Sequence, residues 1–525
     1  MSSTRSADWE TIVVGSGMGG LTAAAALAST GRRVLVLERH QKAGGLTQTF
    51  ERDGFCFNVG MHCLGGFGPG QPNQRLVETL ARGRLKMAQV DGAHDRVSFP
   101  RLSIAFDAST SRFGSALSKA FPEEKVGIGR YVDALNLGQA TLDTLLMARC
   151  ASPLMSSART WLGNRSIERW VQRTTRQVVD ECVSSAQARA VLCARWGDYG
   201  SPPGESSFAL HAAITRRCMD GAWYPEGGPA VFARELGATI AAAGGEVRTG
   251  AEVAEFEVHK GHATGVRLLD GTTIASDCVV SDIGIRNTLR RVPSTEADYH
   301  WARDGYSLDP SVGSVVVYLG LEGDIAARGA TPANEWIYDS WNVDDLWRDP
   351  ELDERAPALF ISFTSLRDPT HVPGPRQQHI CELVAPVAWS VFAQWDRSNS
   401  ERGMCAGTES AARSATYLAF KAMVERRLVA QFRGRFPELA SCIRYVETSS
   451  PVSLASFTGA EHGAMYGLQT TPQRFLSQSL RPRTPIRGLY LAGQDVATPG
   501  VMGAAMGGMM AAASIEPGLL KLIRG

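Results

Sequence analysis

Gly15-x-Gly17-x-x-Gly20 follows the β-branched run Thr11–Val14 and opens the Ala/Leu-rich stretch Met18–Ser29; Gly31 stops that stretch, and Val34–Leu37 (VLVL) runs into Glu38. Strand, helix and strand in this order make a βαβ unit. Each glycine has a mechanical task. Gly15 permits the tight turn, Gly17 lets the backbone approach a pyrophosphate, and Gly20 lets helix and sheet pack closely. The helix N-terminus offers unpaired N–H groups and a positive dipole end to phosphates. Glu38, eighteen residues past Gly20, suits ribose hydroxyls. The unit reads as a dinucleotide site.

What surrounds it is ordinary globular sequence. The 525 residues suggest roughly three domain-sized units, and 54 Lys+Arg against 53 Asp+Glu leave a net charge of +1, which recruits neither nucleic acid nor an anionic membrane. The partner expected is a small, weakly charged molecule. Ten cysteines without a C-x-x-C are too sparse for a disulfide framework and lack zinc spacing, so they read as reduced thiols of a cytoplasmic protein, and no metal is expected. MSSTRSADWE carries no apolar core of a secretory signal. From Val496 to Ile515 there is no charge, and Gly503 and Gly507 form a G-x-x-x-G, the pattern of a packed membrane helix. Pro499 and the Gly/Ala density argue instead for a small-residue helix inside a fold.

Repeats and low-complexity tracts are absent. Between Glu246 and Ser281, EVRTG, AEFEV, ATGVRLL and ASDCVVS read as a strand followed by a meander, and the segments at 488–492 and 503–514 as a last strand and helix. Residues 67–215 look largely helical, whereas 295–480 mix strands with helix. Ten of the eleven tryptophans lie between Trp161 and Trp395, outside the nucleotide-like segments, where they either pack a core or line a pocket for a long apolar ligand. The expected fold class is α/β, with a discontinuous Rossmann-like domain from 8–66, 216–290 and 484–520. A mixed α+β substrate domain comes from 67–215 and 291–483. Peripheral membrane contact, through Thr141–Leu162, is an open alternative, although that stretch lacks a Lys/Arg-rich amphipathic face.

Which dinucleotide binds is decided outside the βαβ unit. Gly44 and Gly45 suit a second backbone approach that a nicotinamide enzyme does not need. Gly493-Gln494-Asp495 ends the last strand, with Gly500, Gly503 and a small-residue helix beyond. Such a helix N-terminus can face the pyrimidine end of a flavin and stabilise negative charge on it, and Asp495 suits a ribityl hydroxyl or a nearby phosphate contact. FAD is the cofactor this pattern favours.

These segments carry a resemblance. TIVVGSGMGGLTAAAALASTGRRVLVLERHQKAGGLTQTF, GFCFNVGMHCLGG, YPEGG at 224–228, SDCVVSDIG at 276–284 and LYLAGQDVATPGVMGAAMGG, ending at Gly508, resemble the phytoene desaturase, carotenoid isomerase and retinol saturase superfamily of FAD proteins. His62 in VGMHCLGG, Tyr466 in GAMYGL and the G-Q-D form of the last motif resemble the retinol saturase branch. Leu46 stands where many relatives carry Arg, so no contact is assigned to it. The resemblance implies an amine-oxidase-like architecture and redox chemistry on conjugated C=C bonds of a lipophilic polyene. Saturation, isomerisation and the reductive ring closure that related bacterial enzymes perform on polyene tetramate macrolactams all fall within it. No second dinucleotide fingerprint is present, so NAD(P)H would visit only transiently as reductant.

The residues expected to hold the cofactor are Gly15, Gly17, Met18, Gly19, Gly20, Glu38, Arg39, Gly44, Gly45, Val253, Gly493, Asp495, Gly503 and Ala504. Candidates for proton exchange with substrate are His62, Tyr466, Glu461 and His462, each with a structural alternative: a satisfied histidine, or a glycine-flanked turn. His259 and His262 look like a metal pair but sit at an expected hairpin turn. Neither G-x-S-x-G, H-E-x-x-H nor a P-loop occurs. Three rivals remain: a carotenoid-type desaturase, a flavin amine oxidase, and a non-catalytic lipid-binding escort of the same fold.

Overall fold

Four consecutive buried residues at Thr11–Val14 and again at Val34–Leu37 leave no solvated face, the burial pattern of strands covered on both sides. In the computed structural model, which describes residues 9–107, 110–150, 164–344, 355–395 and 415–524, they are β1 and β2 of a five-stranded parallel sheet. β3 (Glu246–Arg248), β4 (Val279–Ser281) and β5 (Leu489–Leu491) complete it in the order β5-β4-β1-β2-β3. Helix α1 (Met18–Ser29) joins β1 to β2, α2 (Val231–Ala242) leads into β3, and α3 (Val501–Ile515) follows β5. Both α2 and α3 pack on α1.

That packing accounts for the uncharged segment at 496–515. α3 is buried on nearly every side, and its glycines let backbone meet backbone. A Cβ on Gly508 would lie 2.0 Å from the Gly19 carbonyl oxygen, one on Gly507 2.0 Å from that of Gly493, and one on Gly503 2.1 Å from that of Thr498. Small residues at this spacing do here what they do between membrane helices, bringing two backbones together. Among the described residues no helix is long and apolar enough to cross a membrane.

The meander is Val253–His259, His262–Leu268 and Thr273–Ala275, a three-stranded antiparallel sheet. Its first turn has Lys260 at φ 51° and Gly261 at φ 73°, the left-handed pair of a two-residue hairpin. His259 and His262 flank that turn, both exposed. ASDCVVS divides: Thr273–Ala275 ends the meander, while the fully buried Val279 and Val280 return to the parallel sheet as β4.

A second, seven-stranded sheet has the order Ile443–Ser449, Gly313–Glu322, Gln378–Val387, Ala358–Ser362, Asn334–Tyr338, Ala93–Phe99, Leu102–Asp107. Its neighbours run antiparallel except Asn334–Tyr338 on Ala93–Phe99. The last two strands lie within the stretch that reads as helical. Ala93–Phe99 (AHDRVSF) buries the adjacent His94 and Asp95 as well as Val97 and Phe99, so polar residues interrupt its buried positions and hydropathy does not display it. Beside the sheet lie helices Lys125–Arg149, Thr175–Cys182, Ala186–Cys193 and Phe208–Met219. Of the candidate membrane surface Thr141–Leu162, the described part ends helix Lys125–Arg149 with Leu142, Leu145 and Leu146 buried; residues 151–162 lie outside the described residues.

Candidate functional site

The C-terminal ends of β1, β2, β4 and β5 open on one cavity of about 690 Å³, within the size range of a small-molecule or cofactor site. Such a place, outside the carboxyl ends of parallel strands, is where open α/β sheets bind ligands. Its wall at the start of α1 is bare backbone. Gly15 has φ +98°, conformational space that a side chain resists, and a Cβ on Gly20 would stand 2.0 Å from the Gly15 carbonyl oxygen. A side chain on Gly19 would come within 2.5 Å of Gly493 Cα. The first and last glycine motifs, distant in sequence, therefore meet face to face.

Glu38 is buried beside this turn. Its Oε2 accepts from the Ser16 N–H (3.0 Å) and hydroxyl (2.6 Å), and its Oε1 accepts from the His40 N–H (2.8 Å). The Ser16 hydroxyl in turn accepts from the Gly44 N–H at 3.2 Å, tying the acid to the paired glycines. An ionised carboxylate has about four lone-pair sites, so the acid keeps acceptor capacity toward the cavity. Asp495 accepts from the N–H groups of Ile285 (3.0 Å) and Leu468 (3.3 Å), which fixes three segments around the opposite wall.

Two buried arginines that carry no motif hold the loop bearing Asp495. Arg474, fully buried, donates to the carbonyls of Leu468 and Gln494; Arg149 donates to those of Val496 (2.8 Å) and Phe475 (2.7 Å). Burial lowers both from the usual guanidinium value, Arg474 to about 10 and Arg149 to about 9, with the proximity of Arg474 adding to the shift of Arg149. Both remain cationic at neutral pH and are held by backbone oxygens in place of acids, the Arg474 Nε lacking a partner among the described residues. Nothing local in sequence separates them from surface arginines.

Of the residues expected to hold a cofactor, Gly15, Gly17, Met18, Gly19, Glu38, Arg39, Gly44, Gly45, Val253, Gly493, Asp495 and Ala504 line the cavity. Gly20 and Gly503 do not; both are packed against backbone carbonyls. Asp282 lines it as well, without having been singled out.

A second cavity, about 70 Å³, shares Ser314, Met465 and Tyr466 with the first and is walled by Trp196, Trp336, Tyr338, Phe360, Asp198 and His62. Trp170, Trp196, Trp301 and Trp336 all belong to one buried core, and of these Trp196 and Trp336 also line the pocket. His62 Nε2 lies 3.0 Å from the Oε2 of Glu382, which is 1% exposed, and its ring packs edge-on to Phe360 at 4.8 Å. Its carbonyl accepts from Arg367, at the head of a buried chain of polar contacts through Asn334, Asp95, Arg195 and Asp198. Arg195 holds Asp95 well below the usual carboxylate range against the opposing effect of burial, while burial pushes Asp198 up.

Tyr466 faces both cavities, its phenol pushed far up by burial. Glu461 lines the large cavity but is bound by Arg286 and Arg290, each at 2.6 Å. His462 lines neither cavity and stacks on Trp389 at 5.2 Å. The four candidates for proton exchange therefore divide: His62 and Tyr466 share one cavity, and the other two lie apart from it. Glu382 and Arg367 were not legible as site residues, because each meets His62 from a strand or turn about three hundred residues away, and Asp198 was not because its near partner, Arg195, carries no motif.

The NAD(P)-binding Rossmann-like domain family matches residues 13–80. The all-trans-retinol 13,14-reductase of Danio rerio is 29% identical over 96% of this chain and 85% of its own length. The chloroplastic prolycopene isomerase of Daucus carota is 25% identical over 97% and 80%. Among solved structures, a wild-type putrescine oxidase bound to putrescine superposes with a TM-score of 0.65 at 15% identity, covering 97% of this chain and 99% of that one, a likeness of fold. The near-full-length similarity to retinol reductases and prolycopene isomerases, together with the Rossmann-like domain, supports the resemblance to the carotenoid isomerase and retinol saturase-like superfamily.

Proposed function

We propose that the chain is an FAD-dependent oxidoreductase acting on conjugated C=C bonds of a lipophilic polyene, by saturation, isomerisation or reductive cyclisation. The observation that carries this reading is the adjacency of two cavities: a glycine-walled one with a ribose-type acid, and an aromatic-walled one that shares Ser314, Met465 and Tyr466 with it. The residues fit the group. Gly17, Gly19 and Gly45 leave a cradle that side chains would fill; Glu38 would hold the ribose of the group and the N-terminus of α3, with Ala504, its flavin end. FAD, when bound, supplies exchange of hydride or electrons with the polyene.

The chain's own residues do the rest. Trp336 and Phe360, 4.6 Å apart edge to face, offer apolar walls to a flat conjugated chain. His62 has Nε2 engaged by Glu382, which leaves Nδ1 as the nitrogen to hold or pass a proton, and the Tyr466 phenol is kept as the neutral O–H by burial. Relatives named for retinol reduction and prolycopene isomerisation support the substrate class. The test is to reduce the flavoprotein anaerobically and add retinoids, carotenoids and shorter polyenes. A polyene-dependent change in the substrate chromophore, with a product of altered bond order or geometry, is expected. Oxidation of an amine with every polyene untouched would shift the assignment to an amine oxidase.

A further inference from the structure

Asp282 follows β4 directly, and its carboxyl is wedged among the glycines that begin α1 and end β5. A Cβ on Gly17 would stand 2.8 Å from its Oδ2, and a Cβ on either Gly19 or Gly493 2.2 Å from its Oδ1. The Gly20 N–H donates to it. It lines the large cavity at the turn where a dinucleotide places its phosphates.

The charged groups that face it are both acids: Glu38 from the end of β2 and Asp495 from the loop after β5. α1 and α3, which pack on either side, contain no charged residue. An ionised Asp282 would be a third negative charge in this corner and would then meet the two charges of a pyrophosphate. Desolvation, with Glu38 and Asp495 adding to it, pushes Asp282 up to about 8, against the opposing effect of the Gly20 N–H.

We propose that Asp282 is uncharged when the dinucleotide binds and that its ionisation weakens binding, which makes cofactor retention a function of pH. The inference rests on the FAD reading above. Its sign follows from linkage: a ligand that repels the carboxylate binds the protonated form better, so affinity falls as pH rises through the titration of the free protein. The fall reaches at most about tenfold per pH unit.

The test dilutes purified holoprotein into buffers between about pH 6.5 and 9.5 and reads released FAD by its fluorescence at equilibrium. The dissociation constant of the natural chain is expected to rise by about tenfold or more across this range, while that of Asp282→Asn stays within about twofold. A flat profile for the natural chain, or the same rise in Asp282→Asn, overturns the proposal. Should the variant fail to fold, the profile of the natural chain decides alone. Absence of FAD binding at every pH would remove the FAD reading and this inference together, whereas tight, pH-independent binding removes only this one.

Discussion

Gly508→Val is expected to collapse the thermal stability of the protein and to strip it of cofactor. The Cβ alone would sit 2.0 Å from the Gly19 carbonyl oxygen, and that atom belongs to backbone, which cannot rotate away. α3 must then move off α1, and with it goes the contact that sets Gly19 against Gly493 in the cavity wall. Overpacking by one or two methylenes in an interior typically costs about 1–3 kcal/mol, and a forced separation of two backbones belongs at or beyond the upper end. The control is Gly237→Ala, on α2, where nothing lies within 4 Å of the added Cβ. Helix propensity alone operates there, and the variant is expected to be neutral or more stable by up to about 1 kcal/mol. Thermal midpoints and flavin content of the two variants check both statements.

His62→Phe is expected to lower turnover on the polyene by about 10²–10⁴-fold while leaving flavin content and spectrum unchanged. The residue faces the aromatic cavity and lies off the glycine-walled one, so its loss would remove the proposed proton exchange without touching the cradle. Glu382→Gln keeps an acceptor beside Nε2 in place of the carboxylate, so a smaller loss of turnover is expected. Turnover and bound flavin, measured together, check the pair. Equal loss of flavin and activity in His62→Phe would move the histidine from chemistry to structure.

The contrast between these two sites explains what was legible in the sequence. Gly15, Gly17, Gly20 and Glu38 act within one short βαβ unit, where the order of elements and the spacing are dictated by local backbone geometry. β1, α1, β2 and β5 are readable for the same reason, since a fully buried strand or helix leaves an unbroken apolar run. The strand Ala93–Phe99 is hidden because its buried positions include His94 and Asp95. The second cavity is assembled from His62, Asp198, Trp336, Phe360 and Tyr466, which share no local spacing. Glu382 sits in a strand whose apolar neighbours give no hint that its side chain is buried against a histidine. Asp282 is readable as the residue ending a buried strand, but its character comes from Glu38, Asp495 and four glycines gathered by the fold. Glu461 and His462 stand beside Tyr466 in sequence, yet an arginine pair holds one and Trp389 stacks on the other.

If the cavity at the ends of β1, β2, β4 and β5 holds FAD, the visible absorption spectrum of the purified protein shows a flavin band and chromatography of whatever denaturation releases shows intact FAD. Any superimposed polyene bands would mark a co-purified ligand. A colourless protein that cannot be reconstituted with FAD would contradict the FAD reading and would favour a lipid-binding escort of the same fold.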